Sequence, residues 1–375
     1  MRGAGGGVVT RETLIVGAGV IGLLTAWQLA RAGVPVALLE AGNVGREASW
    51  AGGGIVSPLY PWRYEAAVTS LAQWSQDFYP WLGEHLLVAS GVDPEVHATG
   101  LYWLDLDDET AAMEWSMRGG RGLCSVGIDE VRSRVPALGG GFRRALYLSG
   151  VANVRNPRLV RALRAALAQM PNVELHEHCP VSGFVVRDGR VVGVRTARGE
   201  LHAGRVVLAA GAWSGNLLGE IGLSLPVEPV KGQMILYKCV EDFLPAMVLA
   251  GGRYAIPRRD GHILVGSTLE YRGFDKTPSN EALASLKTSA EGMLPALAGF
   301  EVVGHWAGLR PGSPNGVPFI GEVSQFPGLW LNCGHYRNGL VLAPASCELL
   351  KNLMLGETPI IDPAPYAPTE RLEGH

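Results

Sequence analysis

The chain is poor in the features that staple a protein, tether it or bias it electrically. Its five cysteines, Cys124, Cys179, Cys239, Cys333 and Cys347, are widely separated and odd in number among 375 residues. Neither a CxxC pair nor a disulfide framework follows, and a reducing cytoplasm is the expected setting. A formal net charge of −3 offers no field to draw in nucleic acid or an anionic membrane. The apolar stretch from Leu14 to Ala30 is broken by three glycines and has no A-x-A-like cleavage site after it, so it reads neither as a signal peptide nor as a membrane span. With 47% hydrophobic and 18% charged residues the composition is globular, and a small molecule is the expected partner.

What is abundant is glycine, 51 residues, pointing to tight turns and close backbone approaches. Leu14–Val16 reads as a short strand, and Gly17-Ala-Gly-Val-Ile-Gly22 opens a helix running to about Arg31. Val34–Glu40 follows as a second buried strand, and right-handed crossover makes the two strands parallel neighbours. Helical spacing recurs over Glu65–Ser90, Pro157–Met170 and about Asn338–Leu355, with a further strand at Val206–Gly211. Hairpin turns are expected at Asp188-Gly189 and Asp260-Gly261. The second of these, taken as a two-residue turn, pairs residue 254 with 267 and puts Tyr254, Ser267 and Leu269 on one face.

Nucleotide-type elements thus occur early, midway and late. The expected fold is α/β, with a discontinuous Rossmann-like cofactor domain (residues 13–90, 150–224 and 306–367) and an antiparallel-sheet substrate domain (91–149 and 225–305). Residues 1–12 read as a flexible leader and 368–375 as a tail.

In the first β-α-β unit, Gly17 permits the turn, Gly19 lets backbone N–H groups approach a pyrophosphate, and Gly22 allows close helix–sheet packing. Glu40 closes the second strand, where an acid holds a ribose hydroxyl and disfavours a 2′-phosphate. This pattern leaves FAD and NAD both open.

Gly45-Arg-Glu-Ala-Ser-Trp-Ala-Gly-Gly-Gly54, Val206-Val-Leu-Ala-Ala-Gly-Ala-Trp-Ser214, Ala307-Gly-Leu-Arg-Pro-Gly312 and Gly334-His-Tyr-Arg-Asn-Gly339 together resemble the glycine oxidases of the D-amino-acid oxidase superfamily, over roughly Leu14 to Ala367. The resemblance implies a two-domain flavoprotein with non-covalent FAD. No cysteine lies in Ala307–Gly321, unlike the related sarcosine oxidases that tether their flavin. It places FAD contacts at Val20, Ile21, Glu40 and Ala41, at Glu47, Ala48, Gly52, Gly53 and Gly54, at Val181 through its backbone, at Gly211, and at His335, Tyr336, Arg337, Asn338, Gly339, Leu340 and Val341. The helix starting near Asn338 would point its positive end at the flavin.

For substrate, the planar guanidinium of Arg310 suits a bidentate hold on an amino-acid carboxylate. The resemblance adds Tyr254 as a carboxylate contact and Arg337, whose matching backbone carbonyl faces the substrate amine. Gly252 replaces a family histidine and Leu269 a methionine, changes expected to open the pocket. The run His176-Glu177-His178-Cys179 suggests a metal cluster with both histidines on one strand face, but no further ligand pattern accompanies it and no metal is expected.

The implied activity is FAD-dependent oxidation of glycine, sarcosine or small D-amino acids by molecular oxygen, through hydride transfer from Cα to flavin N5, giving an α-keto acid, ammonia or amine, and hydrogen peroxide. The alternatives are an oxidase of N-carboxymethyl amines such as iminodiacetate, and a quinone-linked D-amino-acid dehydrogenase. The resemblance also suggests a homo-oligomer, a tetramer, and a place in thiamin-thiazole synthesis.

Overall fold

The computed structural model describes residues 12–369 and 371–374. Apart from Glu12, the expected leader lies outside the described residues.

The first sheet has six strands, ordered Phe319–Glu322, Leu329–Cys333, Arg205–Leu208, Thr13–Val16, Val36–Leu39 and Val173–His176. All neighbours are parallel except the first pair. Because side chains alternate along a strand, one set (Ile15, Leu38, Val207) meets the helices Val20–Arg31, Ala66–Ser90, Asn156–Leu167 and Gly339–Leu355. The other set (Leu14, Val16, Leu39, Leu208) meets Phe184, Val191 and Val194 of a three-stranded antiparallel layer. Both faces are buried, so these strands read as continuous apolar runs. The expected tail packs as well: Arg371 donates to the carbonyls of Pro318 (2.7 Å) and Val317 (2.8 Å), and Leu372 is buried.

The second sheet has eight strands, ordered Glu301–Gly312, Glu228–Lys238, His262–Gly266, Arg253–Pro257, Met247–Ala250, Leu101–Leu104, Arg144–Leu148 and Cys124–Gly127. It is the expected antiparallel sheet, with one parallel pair, Met247–Ala250 beside Leu101–Leu104, and it corrects one expectation. The boundary expected at 306 falls inside a strand: Glu301–Gly312 pairs along its length with Glu228–Lys238, from Lys238↔Glu301 to Glu228↔Gly312.

A second correction concerns register. The hairpin loop holds three residues, Arg259-Asp260-Gly261, closed by the Gly261 N–H donating to the Arg258 carbonyl (3.1 Å) and the Arg258 N–H to the His262 carbonyl (2.8 Å). Gly261 sits at φ +79°, the left-handed residue that ends a three-residue loop. The one-residue slip pairs Tyr254 with Gly266 instead of Ser267. The expected metal-like run is also broken up, because its strand ends at His176 and His178 turns to φ +53°.

The last long helix contains Pro344, which has no N–H to give to the carbonyl four residues earlier, that of Leu340. Tyr79, buried in the facing helix, donates its hydroxyl to that carbonyl at 2.6 Å, and Ser75 Oγ accepts the next N–H, from Ala345 (3.0 Å). Two helices 260 positions apart in sequence are thereby stitched at the turn where one loses its internal bond. Tyr79→Phe should lower the unfolding free energy by about 1–3 kcal/mol, the usual cost of an unsatisfied buried acceptor, as read by urea denaturation. An unchanged midpoint would show that the carbonyl finds another donor.

Candidate functional site

A cavity of about 410 Å³ runs between the carboxyl ends of the first sheet and one face of the second. Of the residues expected to contact cofactor or substrate, all but Gly22 line it: the run Gly17, Gly19, Val20, Ile21; Glu40 and Ala41; Glu47, Ala48 and Gly52–Gly54; Val181 and Gly211; Tyr254 and Arg310; and residues 335–341. Gly22 stands outside. A Cβ there would come within 1.9 Å of the Gly17 carbonyl oxygen, so its role is close packing, as the motif requires.

At the nucleotide end, the helix Val20–Arg31 begins with Gly19 as a cap that has no side chain, and its first turn holds no acid. Ser49 Oγ accepts the Val20 N–H at 2.8 Å, a contact the sequence did not disclose. Such a helix end favours an anion. Glu40 accepts from the Ala18 N–H through one carboxylate oxygen and from the Gly42 N–H through the other, both at 2.9 Å. Each oxygen keeps a lone pair for a ribose hydroxyl. The helix Gly339–Leu355 likewise starts at the cavity wall without a side-chain cap. These features fit a dinucleotide whose pyrophosphate lies at one helix end and whose electron-accepting ring lies at the other.

Two lining residues are chemically quiet. Burial pulls the pKa of His335 down to about 3, leaving a neutral ring whose Nε2 lies 3.0 Å from Ser346 Oγ. Burial pushes the Cys333 thiol up to about 12, so it is a poor nucleophile and ill suited to tether a cofactor.

At the other end, one face of four strands forms the wall. Tyr254, Gly266, Met234 and Trp306 stand in register across them. Gly266 has no side chain, and the Tyr254 hydroxyl lies 3.6 Å from Met234 Sδ, a weak acceptor. Beside it lies the Arg310 guanidinium. Its Nη1 donates to the carbonyls of Thr268 (3.2 Å) and Lys231 (3.4 Å), and its Nη2 to Ser267 Oγ (2.7 Å). A Cβ on Gly232 would sit 2.2 Å from Nη1, so only glycine leaves this place for the guanidinium. Burial lowers the Arg310 pKa, and among the described residues no carboxylate pairs with it. Sequence reasoning missed Gly232 and Met234; a lone glycine within an apolar strand was the signal for close approach.

Arg337 lines the cavity with its side chain exposed to solvent. Gly252 and Leu269, expected to widen the pocket, do not line it. Gly251 and Gly252 form the two-residue turn between Ala250 and Arg253, both at positive φ, with the Gly252 N–H donating to the Tyr60 hydroxyl (3.1 Å). Leu269 is 45% exposed on the outer surface. A loop over residues 271–279 crosses the cavity rim: Lys276 pairs with Glu47 at 2.7 Å, and Phe274 packs on Trp213. The buried Lys231 anchors this loop through Asp275 (2.9 Å) and the Thr277 carbonyl (2.6 Å).

The model of the family described as FAD dependent oxidoreductase matches residues 12–353. The chain is 66% identical to the glycine oxidase of Pseudomonas putida, over 97% of this chain and all of that protein. It is 67% identical to the glycine oxidase of Pseudomonas aeruginosa, again over 97% of this chain and all of the relative. The crystal structure of glycine oxidase from Geobacillus kaustophilus superposes with a TM-score of 0.90 at 30% identity, covering 95% of this chain and 97% of that one.

Glu40→Ala should weaken FAD binding by roughly 1.5–3 kcal/mol, or about 10- to 150-fold, through loss of a charged hydrogen-bond acceptor. Titration of the apoprotein with FAD, followed by flavin fluorescence, measures it. Acid precipitation of the holoprotein should leave intact FAD in the supernatant, whereas flavin retained in the pellet would mean a covalent link.

Proposed function

The chain belongs to the FAD-dependent oxidoreductase family, and from that premise we propose that it is an oxidase of glycine and other small amines bearing a carboxylate, with Arg310 as the substrate anchor. The observation that carries this reading is the state of Arg310. Three neutral acceptors hold its two terminal nitrogens, and of its five N–H donors the Nε–H and one Nη2–H have no partner among the described residues. Two parallel donors on an uncompensated, desolvated cation match a carboxylate. The Tyr254 hydroxyl, facing only a weak acceptor, supplies a further donor at the same place.

FAD, which Glu40, the Gly52–Gly54 loop and the start of the last helix would hold, would supply a two-electron acceptor for a hydride from Cα, with oxygen as the final oxidant and hydrogen peroxide as its product. The protein's task is orientation. With the carboxylate held by Arg310 and Tyr254, the rigid strand wall fixes Cα against the cavity. No side chain needs to remove a proton from carbon: Glu47 is paired with Lys276, Glu40 is held by two backbone N–H groups, and His335 is buried and neutral. A substrate amine in its neutral form suffices. The imine product hydrolyses to an α-keto acid, glyoxylate from glycine, and releases its nitrogen as ammonia or a primary amine. Five free thiols are consistent with a reducing cytoplasm as the working compartment.

Arg310→Ala should cost roughly 2–5 kcal/mol of transition-state stabilisation, about 30- to 4000-fold in kcat/KM for glycine, with FAD content unchanged. Arg310→Lys keeps the charge and loses the fork, so it should recover only part. Anaerobic stopped-flow reduction of FAD-replete variants separates the two, and wild-type rate and affinity in Arg310→Ala would end the proposal. Gly232→Ala offers an independent check, because its methyl group would push the guanidinium off its shelf. KM for glycine should rise at least tenfold, with the FAD affinity of the apoprotein preserved.

A further inference from the structure

A second buried arginine stands behind the glycine loop of the cavity. Arg258 directly follows the strand Arg253–Pro257 and is 8% exposed. Its Nη1 donates to Asn153 Oδ1 (2.9 Å) and to the Val154 carbonyl (3.0 Å), and its Nη2 to the Gly53 carbonyl (2.8 Å). All three acceptors are neutral. The nearest carboxylates, Glu95 and Asp260, are bound to Arg155 at 3.5 and 2.7 Å, so a further cation intervenes in that network. Arg155, Glu95, Asp260 and Tyr254 are the charged or titratable groups that act on Arg258. Burial lowers its pKa to about 10, which still leaves it charged at neutral pH.

The bond to Gly53 sets the direction of a backbone donor. In a planar trans peptide the carbonyl of one residue and the N–H of the next point in opposite directions. With the Gly53 carbonyl turned toward Arg258, the Gly54 N–H is turned away from it, to the side where Gly53 and Gly54 line the cavity. That N–H has no acceptor among the described residues. Only glycine fits at this position, because a Cβ on Gly54 would come within 2.1 Å of the Val154 carbonyl oxygen. The loop lies at the substrate end, since a Cβ on Gly53 would be 3.1 Å from the Tyr254 hydroxyl.

We propose that Arg258 is a positioning residue for the cofactor: it clamps the Gly53 carbonyl, aims the Gly54 N–H at the bound flavin, and places a fixed positive charge behind that peptide. The proposal rests on the FAD reading of the cavity. Hydrogen bonds in series polarise one another, and a charge in a dry interior acts at longer range than one in water. An electron-rich reduced ring is therefore favoured over the oxidised one by the donor and by the charge behind it.

The test is the flavin midpoint potential of the holoprotein, measured by equilibration with a reference dye, together with the FAD dissociation constant. Arg258→Met removes the charge at similar volume. It should lower the ratio of reduced to oxidised flavin at fixed potential at least tenfold, about 30 mV for a two-electron couple. Arg258→Lys keeps the charge but cannot span three acceptors, and its ratio should fall about threefold. If Arg258→Met yields no folded holoprotein, Arg258→Lys decides alone. A wild-type potential in either FAD-loaded variant overturns the proposal, even where thermal stability has dropped, because a merely structural arginine would leave the potential in place. A wild-type protein that binds no FAD would instead overturn the reading of the cavity.

Discussion

The approach of Gly22 to the Gly17 carbonyl is the constraint on which the rest of the architecture depends. With no Cβ at Gly22, the first helix can lie directly on the end of the first strand, and its N-terminus then opens at the carboxyl edge of the parallel sheet. That edge is where the Glu40 carboxylate, the Gly52–Gly54 loop and the start of the last helix converge. Larger residues at this contact would lift the helix, and the anion-favouring end would no longer face the cavity.

The second organising feature is the handling of charge. Ion pairs such as Arg63–Asp108 and Arg134–Glu130 lie in partly exposed positions, where each contributes little. Arg310 and Arg258 are treated differently, because both are held only by neutral oxygens. A cation already matched to a carboxylate could not serve an incoming anion. Leaving the charge unmatched carries a desolvation cost that the surrounding carbonyls offset in part.

Much of this was legible in the sequence because local physics dictated it. The β-α-β unit and the acid at Glu40 declare themselves through spacing and residue type, whereas Arg310 was set apart from other arginines by the family resemblance together with its apolar neighbours Trp306 and Leu309. The hairpin register was not legible, because Asp260-Gly261 suits both a two- and a three-residue loop, and the Gly261–Arg258 bond that decides between them forms only in three dimensions. The strand crossing residue 306 was hidden for a similar reason: its partner, Glu228–Lys238, is more than sixty residues away. Gly232 and Arg258 act through contacts distant in sequence, so no motif carries them. The shelf under Arg310 exists only once three strands have aligned.

The muted thiol at Cys333 bears on how such a catalyst ages. An oxidase that releases hydrogen peroxide bathes its own reaction chamber in oxidant, and a thiol is attacked only as its thiolate. Cys333 lines that chamber and Cys347 is buried in the helical core, and burial pushes both thiols up to about 12. Burial thus keeps these two sulfurs in the unreactive thiol form, whereas Cys124, on the far edge strand of the second sheet, is exposed.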